Sequence, residues 1–179
     1  MTGSEGAARE RLGWLKDLDA VLATTQRFLA DAQERVQRDL APVLAATLAA
    51  WLPRITGGRY SDAIIDIDTL EVQVCGAGRR WRSAKRLSQG TAEQVYLLLR
   101  AALARQLTAG KESCPLLLDD VTVQSDEGRT HAILELLHEI SKEQQIIVFA
   151  QERGVADWAC THLCEPRDAV VQLAVVSGT

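Results

Sequence analysis

Apolar residues in the first third of the chain recur at heptad steps: Leu15, Leu18, Leu22, Leu29, Ala32, Val36 and Val43. That spacing lines one side of a coiled-coil helix. The residues between them are largely Ala, Gln, Arg and Glu, which favour helix. Thr25 and Asp39 interrupt the seam. A helix over residues 9–51 is on the order of 60 Å long, more than a compact domain needs for its own core, so part of it is expected to project or to pack against a partner helix. Pro42 removes one helix hydrogen bond and is expected to kink or restart the helix near residues 38–41. No turn signal occurs between Leu12 and Leu40, which argues against a hairpin of two shorter helices. The small, polar segment 1–8 ahead of the helix is expected to be disordered.

After Pro53 the texture changes. Gly57-Gly58 breaks the helix, and two short runs, 63–67 and 70–74, joined through Asp68-Thr69, spell a β-hairpin. A polar, basic stretch over 76–86 leads to a helix at 91–106 that carries Val95, Leu98, Leu99 and Ala102 on one face and stops near Gly110. Pro115-Leu116-Leu117-Leu118-Asp119-Asp120 is an apolar run ending in acids, the pattern of a buried strand in a parallel sheet. A helix is expected over 127–141 with Ile133, Leu136, Leu137 and Ile140 inward, then a second buried strand at 146–150, a short helix at 155–160 and a last strand at 169–176. Strand, helix, strand, helix, strand predicts an α/β domain with a largely parallel sheet over 53–179, behind a long helical arm over 9–52.

Composition narrows the function. A chain of 179 residues, 47% apolar and 25% charged, has room for one domain with a core and one extended element. The formal charge of −4 and pI near 5.4 exclude nucleic-acid binding by bulk basicity, so any DNA contact must be local or shared with a partner. The sequence holds no signal-peptide core and no membrane-spanning apolar run, which points to a cytoplasmic protein with no membrane partner. Without a secretory signal, Cys75, Cys114, Cys160 and Cys164 are expected to be free thiols. Cys160, His162 and Cys164 alternate at every second residue, which is not a zinc spacing and supplies no fourth ligand.

In open parallel sheets ligands bind at the carboxyl ends of strands, and Asp119, Asp120 and Gln151 fall at such ends. Two adjacent carboxylates there suit a nucleotide site, one holding Mg²⁺ directly or through water and the other polarising a water. Acids after a strand also serve as loop caps. Leu87-Ser88-Gln89-Gly90-Thr91 stands at a helix start, where a Ser hydroxyl and a Gly N–H can both face a phosphate and the helix dipole adds favourable potential. The same stretch also reads as a capped terminus, with Ser88 or Thr91 as cap and Gln94 closing a capping box with Thr91. The two readings are compatible.

The order Leu87-Ser88-Gln89-Gly90, then about 25 residues of helix and loop, then Leu116-Leu117-Leu118-Asp119-Asp120, Ser125-Asp126 and Ile146-Ile147-Val148-Phe149 resembles the C-terminal lobe of the SMC, RecF and SbcC-like ABC-type ATPases. The resemblance covers roughly residues 59–158, and the arm before it is similar to the family's returning coiled coil. It implies that Ser88, Gln89 and Gly90 form the signature motif, which touches the γ-phosphate of ATP held by the opposing head of a dimer. Asp119 then stands as the Walker B acid serving Mg²⁺ and Asp120 in the place of the catalytic acid that positions the attacking water. Ser125 and Asp126 resemble the D-loop at the head-to-head interface, and Gln151 stands where a switch histidine often sits. ATP and Mg²⁺ are the cofactors so implied, with a second ATPase head as partner. DNA is a candidate partner on the family's account alone, in repair, chromosome segregation or defence.

Three departures matter. Asp120 replaces the commoner Glu and reaches about one methylene less far, so slow turnover is expected. Gln151 donates a hydrogen bond but cannot titrate. No Gly-x-x-x-x-Gly-Lys-Ser/Thr loop, the Walker A motif, occurs in the 179 residues, which leaves the β- and γ-phosphates without a cradle in cis. ATP hydrolysis is therefore expected only with a Walker A-bearing N-terminal lobe, in trans or upstream in a longer protein. The alternative is a non-hydrolysing interaction subunit that uses the signature surface and the coiled-coil arm for assembly. Arg79, Arg80, Arg82, Lys85 and Arg86, with Trp81 among them, read as a solvated hairpin edge, as a contact to the trans nucleotide, or as a grip on a nucleic-acid backbone. His131 and His138, one heptad apart, are expected to face solvent.

Overall fold

The computed structural model describes residues 2–66, 68–69, 71–108 and 114–173, with side chains from residue 10 onward except at 36 and 37. Helix α1 runs unbroken from Thr2 to Thr56, about 80 Å at 1.5 Å per residue. The segment expected to be disordered joins it from Thr2: it holds no proline, and a helix nucleated downstream extends through it at low cost. Pro42 does not restart the helix either, and Pro53 also lies inside it. Just beyond Pro42, Leu44, Leu48, Trp51, Leu52 and Ile55 fall on one helical face and are buried, and this packing outweighs the hydrogen bond each proline removes. The helix ends where Gly57 (φ 59°) and Gly58 (φ 74°) take left-handed conformations and the Gly58 N–H donates to the Pro53 carbonyl at 2.8 Å.

The chain then forms an antiparallel sheet of β1 (Tyr60–Asp66), β2 (Glu71–Gly76) and β3 (Arg80–Ser83), in that order. Ala63 and Ile65 of β1 and Val72 and Val74 of β2 are buried against α1. At the β1–β2 turn the Thr69 N–H donates to Asp66 at 3.0 Å, and this bond, with the Thr69 hydroxyl, holds the Asp66 carboxyl below its usual range. Helix α2 (Gln89–Thr108) follows a single 3₁₀ turn and buries Val95, Leu98, Leu99 and Ala102; Gly110, its expected stop, lies outside the described residues. Strand β4 (Leu116–Asp119) pairs in parallel with β5 (Ile146–Phe149), joined through α3 (Glu127–Ile140), and α4 (Arg153–His162) follows.

The fold is mixed α/β with a small parallel sheet, and its larger sheet is antiparallel. β1 and β2 form the expected hairpin and β3 extends it, joined by tight turns that antiparallel pairing accommodates, while β4 and β5 pair in parallel as expected. The last expected strand is absent over residues 169–173, and 174–176 lie outside the described residues.

One core joins the C-terminal part of α1, the inner faces of β1 and β2, α2, Leu118 of β4 and the inner face of α3. Two apolar surfaces stay outside it. The arm exposes Leu12, Trp14, Leu15, Leu18, Val21, Leu22, Phe28 and Leu29. The outer face of the parallel pair exposes Leu117 (62%), Ile147 (37%) and Phe149 (44%), so β4 and β5 are buried on one face only, contrary to expectation. No described helix is long and apolar enough to cross a membrane.

Leu48, fully buried, and Leu22, half exposed on the arm, should respond differently to truncation. Urea unfolding of the chain should show Leu48→Ala costing about 2–5 kcal/mol and Leu22→Ala within about 0.5 kcal/mol of the parent.

Candidate functional site

Parallel pairing sets Leu116 opposite Ile146 and Asp119 opposite Phe149, so the two strands end side by side. The acids and Gln151 leave the sheet at this one edge. By the alternation of side chains along a strand, Asp119 belongs to the same face as Leu117, Ile147 and Phe149, the uncovered one. Asp119 is exposed, and its carboxylate makes no hydrogen bond or ion pair among the described residues.

Asp120 takes a left-handed conformation (φ 48°) while its N–H donates to the Phe149 carbonyl at 2.9 Å. Aspartate is among the few non-glycine residues that tolerate this region. Gln151 Nε2 donates to Asp120 Oδ2 at 3.2 Å. The two residues assigned catalytic places by resemblance, 31 positions apart, are therefore in direct contact, and the amide fixes the carboxylate's orientation.

The loop after β4 folds back as a turn closed by the Ser125 N–H on the Thr122 carbonyl at 2.8 Å, and it lies against the start of α2. Gly90 shows how closely. A Cβ on Gly90 would collide with the Gln124 carbonyl oxygen, which is why glycine stands at this point of Leu87-Ser88-Gln89-Gly90. Four residues on, Gln94 is buried and its Nε2 donates to Ser125 Oγ at 3.0 Å. The expected capping box with Thr91 is not formed, because Gln94 reaches across to the loop instead. Ser88 Oγ lies 2.9 Å from Thr91 Oγ1 at the helix start, and Gln89 Nε2 donates to Glu93 at 3.0 Å.

Asp126 caps α3, accepting from the Arg129 N–H at 3.0 Å and pairing with Arg129 Nε at 3.2 Å. Ser125 and Asp126 thus have structural duties within the lobe that leave their outer surfaces exposed to differing degrees. Sequence reasoning missed Thr122 and Glu152: the buried Thr122 hydroxyl donates to Glu152 Oε2 at 2.6 Å, tying the loop after β4 to the segment that carries Gln151.

Other candidates fall away from this edge. His138 does not face solvent: it is half-buried, with Nε2 3.3 Å from Asp168 and its ring edge-on to Trp158, because the segment after α4 folds back over α3. His131 is exposed. All four cysteines are free, and no group of three metal-ligating side chains occurs among the described residues.

Strand-end acids, a glycine-tight helix start and a shared loop sit on a lobe with a projecting helix, and the fold is like that of SMC head domains. No family model matches the chain. Among solved structures it is similar to the Smc head domain with coiled coil and joint from Pyrococcus yayanosii, at TM-score 0.56 and 17% identity over 86% of this chain and 29% of that one. It is also similar to an SMC ATPase chain studied for ATP-driven dimerization and DNA-stimulated activation, at TM-score 0.52 and 19% identity, covering 66% of this chain and 73% of that one. In sequence it is 29% identical over 141 residues to the uncharacterized protein YhaN of Bacillus subtilis (strain 168), covering 77% of this chain and 14% of that protein's length.

Gly90→Ala should force the loop after β4 away from α2. We expect thermal or urea unfolding to show a loss of about 1–3 kcal/mol, well beyond what a surface Gly→Ala change produces.

Proposed function

We propose that the chain is the C-terminal half of an SMC-like ATPase head, which completes an ATP-binding and hydrolysing site only with a Walker A-bearing lobe and a second head. The observation that carries this reading is the convergence of Asp119, Asp120 and Gln151 at the end of a parallel strand pair whose outer face is apolar and uncovered. A lobe seated on Leu117, Ile147 and Phe149 would bring a phosphate loop to the side on which Asp119 lies.

The residues fit Mg²⁺ and ATP in part. Asp119 offers a hard, exposed oxygen ligand of the kind Mg²⁺ takes, while no Walker A motif occurs in the 179 residues. When bound, the ion neutralises charge on the phosphate oxygens. Asp119 would hold it. Asp120, its Oδ2 already fixed by Gln151, would orient a water and accept its proton through the other carboxylate oxygen. Ser88 and the first backbone N–H groups of α2 would meet the phosphate of a nucleotide held by the opposing head. Ser125 and Asp126, on the loop that Gly90 and Gln94 press against α2, would lie at that head-to-head contact.

The arm's exposed apolar stripe supports pairing with a second helix as a coiled coil. On this reading ATP closes two heads around DNA, in repair, chromosome maintenance or defence; the similar SMC ATPase chain, studied for ATP-driven dimerization and DNA-stimulated activation, supports that extension.

The test is the ATPase rate of the chain reconstituted with a Walker A-bearing lobe. Asp120→Asn should lower kcat at least 10²-fold or so and leave ATP-dependent association intact. Association without turnover in the parent protein would instead favour the non-hydrolysing interaction subunit.

A further inference from the structure

Five of the chain's 20 Lys and Arg residues lie between positions 79 and 86, and no Asp or Glu occurs from 72 to 92. The structure places this charge on one edge. Strand β3 is the outer strand of the β1-β2-β3 sheet, and Arg79 forms the apex of the β2–β3 turn with φ 55° beside Gly78 at φ 76°. Arg79, Arg80, Arg82, Lys85 and Arg86 are all exposed. Among the described residues only Lys85 has an anionic neighbour, Glu71 at 3.9 Å, and Glu71 also accepts from Ser83 at 2.8 Å. Trp81 lies among them, 41% exposed, in a groove of about 660 Å³ lined by Trp81, Arg82, Lys85, Arg86, Gln73 and Glu71.

A solvated edge does not account for this combination. One or two charges suffice to discourage strand pairing, and an exposed Trp on the same strand promotes association. A single nucleotide held by an opposing head does not account for it either. The cations extend from the turn before β3 (Arg79) along that strand of about 13 Å (Arg80, Arg82) into the 3₁₀ turn after it (Lys85, Arg86), a spread suited to successive phosphates of a polymer and not to one triphosphate. The aromatic among them selects further: a base stacks on an indole only when it is not paired and stacked within a duplex.

We propose that this hairpin edge binds single-stranded nucleic acid, with phosphates on Arg79, Arg80, Arg82, Lys85 and Arg86 and a base stacked on Trp81. The proposal deepens the DNA role suggested above by naming a contact surface. It involves neither Asp120 nor the signature helix, so a test without nucleotide fails or succeeds independently of the ATP site.

The experiment is fluorescence anisotropy of labelled oligothymidylate against the full chain, without ATP, over a salt series. Saturable binding is expected, with log K falling against log salt at a slope of about −3 for four or five phosphate contacts. Neutralising Arg80 and Arg82 to Ala should flatten the slope by about 0.7 each, and Arg80→Lys with Arg82→Lys should restore it. Trp81→Ala should weaken binding about tenfold, and Trp81→Phe should recover most of that. Unchanged circular dichroism melting would show that these exposed substitutions leave the fold intact. The proposal is overturned by binding that none of these variants alters, by a duplex binding more tightly than the single strand, or by phosphatidylserine vesicles binding through these residues while oligothymidylate does not.

Discussion

Parallel strands are apolar on both faces because they are ordinarily covered on both, and in this lobe β4 and β5 have cover on one. Leu118 is buried in the common core, while Leu117, Ile147 and Phe149 stay open to solvent. Burying a side chain of that size contributes about 1.5–3 kcal/mol, so the open face forgoes several kilocalories that a second lobe would restore. Asp119 lies on that same open face. The surface that lacks cover is therefore the surface on which the chemistry is proposed, and completing the fold and completing the site become one event.

Within the lobe, the short loop after β4 concentrates the communication between parts. Gly90 admits the Gln124 carbonyl, Gln94 holds Ser125, Thr122 holds Glu152, and Gln151 holds Asp120. The start of α2, the end of β4 and the segment leading into α4 are thereby joined through a single loop, with Asp126 anchoring its far end as the cap of α3. The close approach at Gly90 packs the start of α2 directly against this loop. Such coupling suits a site whose two halves come from different heads.

Much of this was legible in the sequence, and the misses have physical reasons. The arm, α2, α3 and the two parallel strands show as periodic apolar runs. The position of Asp119, Asp120 and Gln151 at strand ends was legible from the apolar runs before them, and the structure brings them to one edge. Strand β3 was not recognised, because Arg80-Trp81-Arg82-Ser83 has none of the apolar alternation that marks a half-buried strand. Pro42 does not restart the helix because its local cost is overridden by the burial of Leu44 to Ile55, a tertiary effect. The bonds of Gln94 to Ser125 and of Thr122 to Glu152 span 31 and 30 positions, and nothing in local pattern encodes them. His138 looked solvent-facing for the same reason, since its partner Asp168 arrives from beyond α4.

The central claim, that this lobe supplies half of an ATP site, is tested most directly by calorimetric titration of ATP with Mg²⁺ into the chain alone and into the chain combined with a Walker A-bearing lobe. The account predicts no measurable binding to the chain alone and clear binding to the combination. Tight binding of ATP by the chain alone would contradict it.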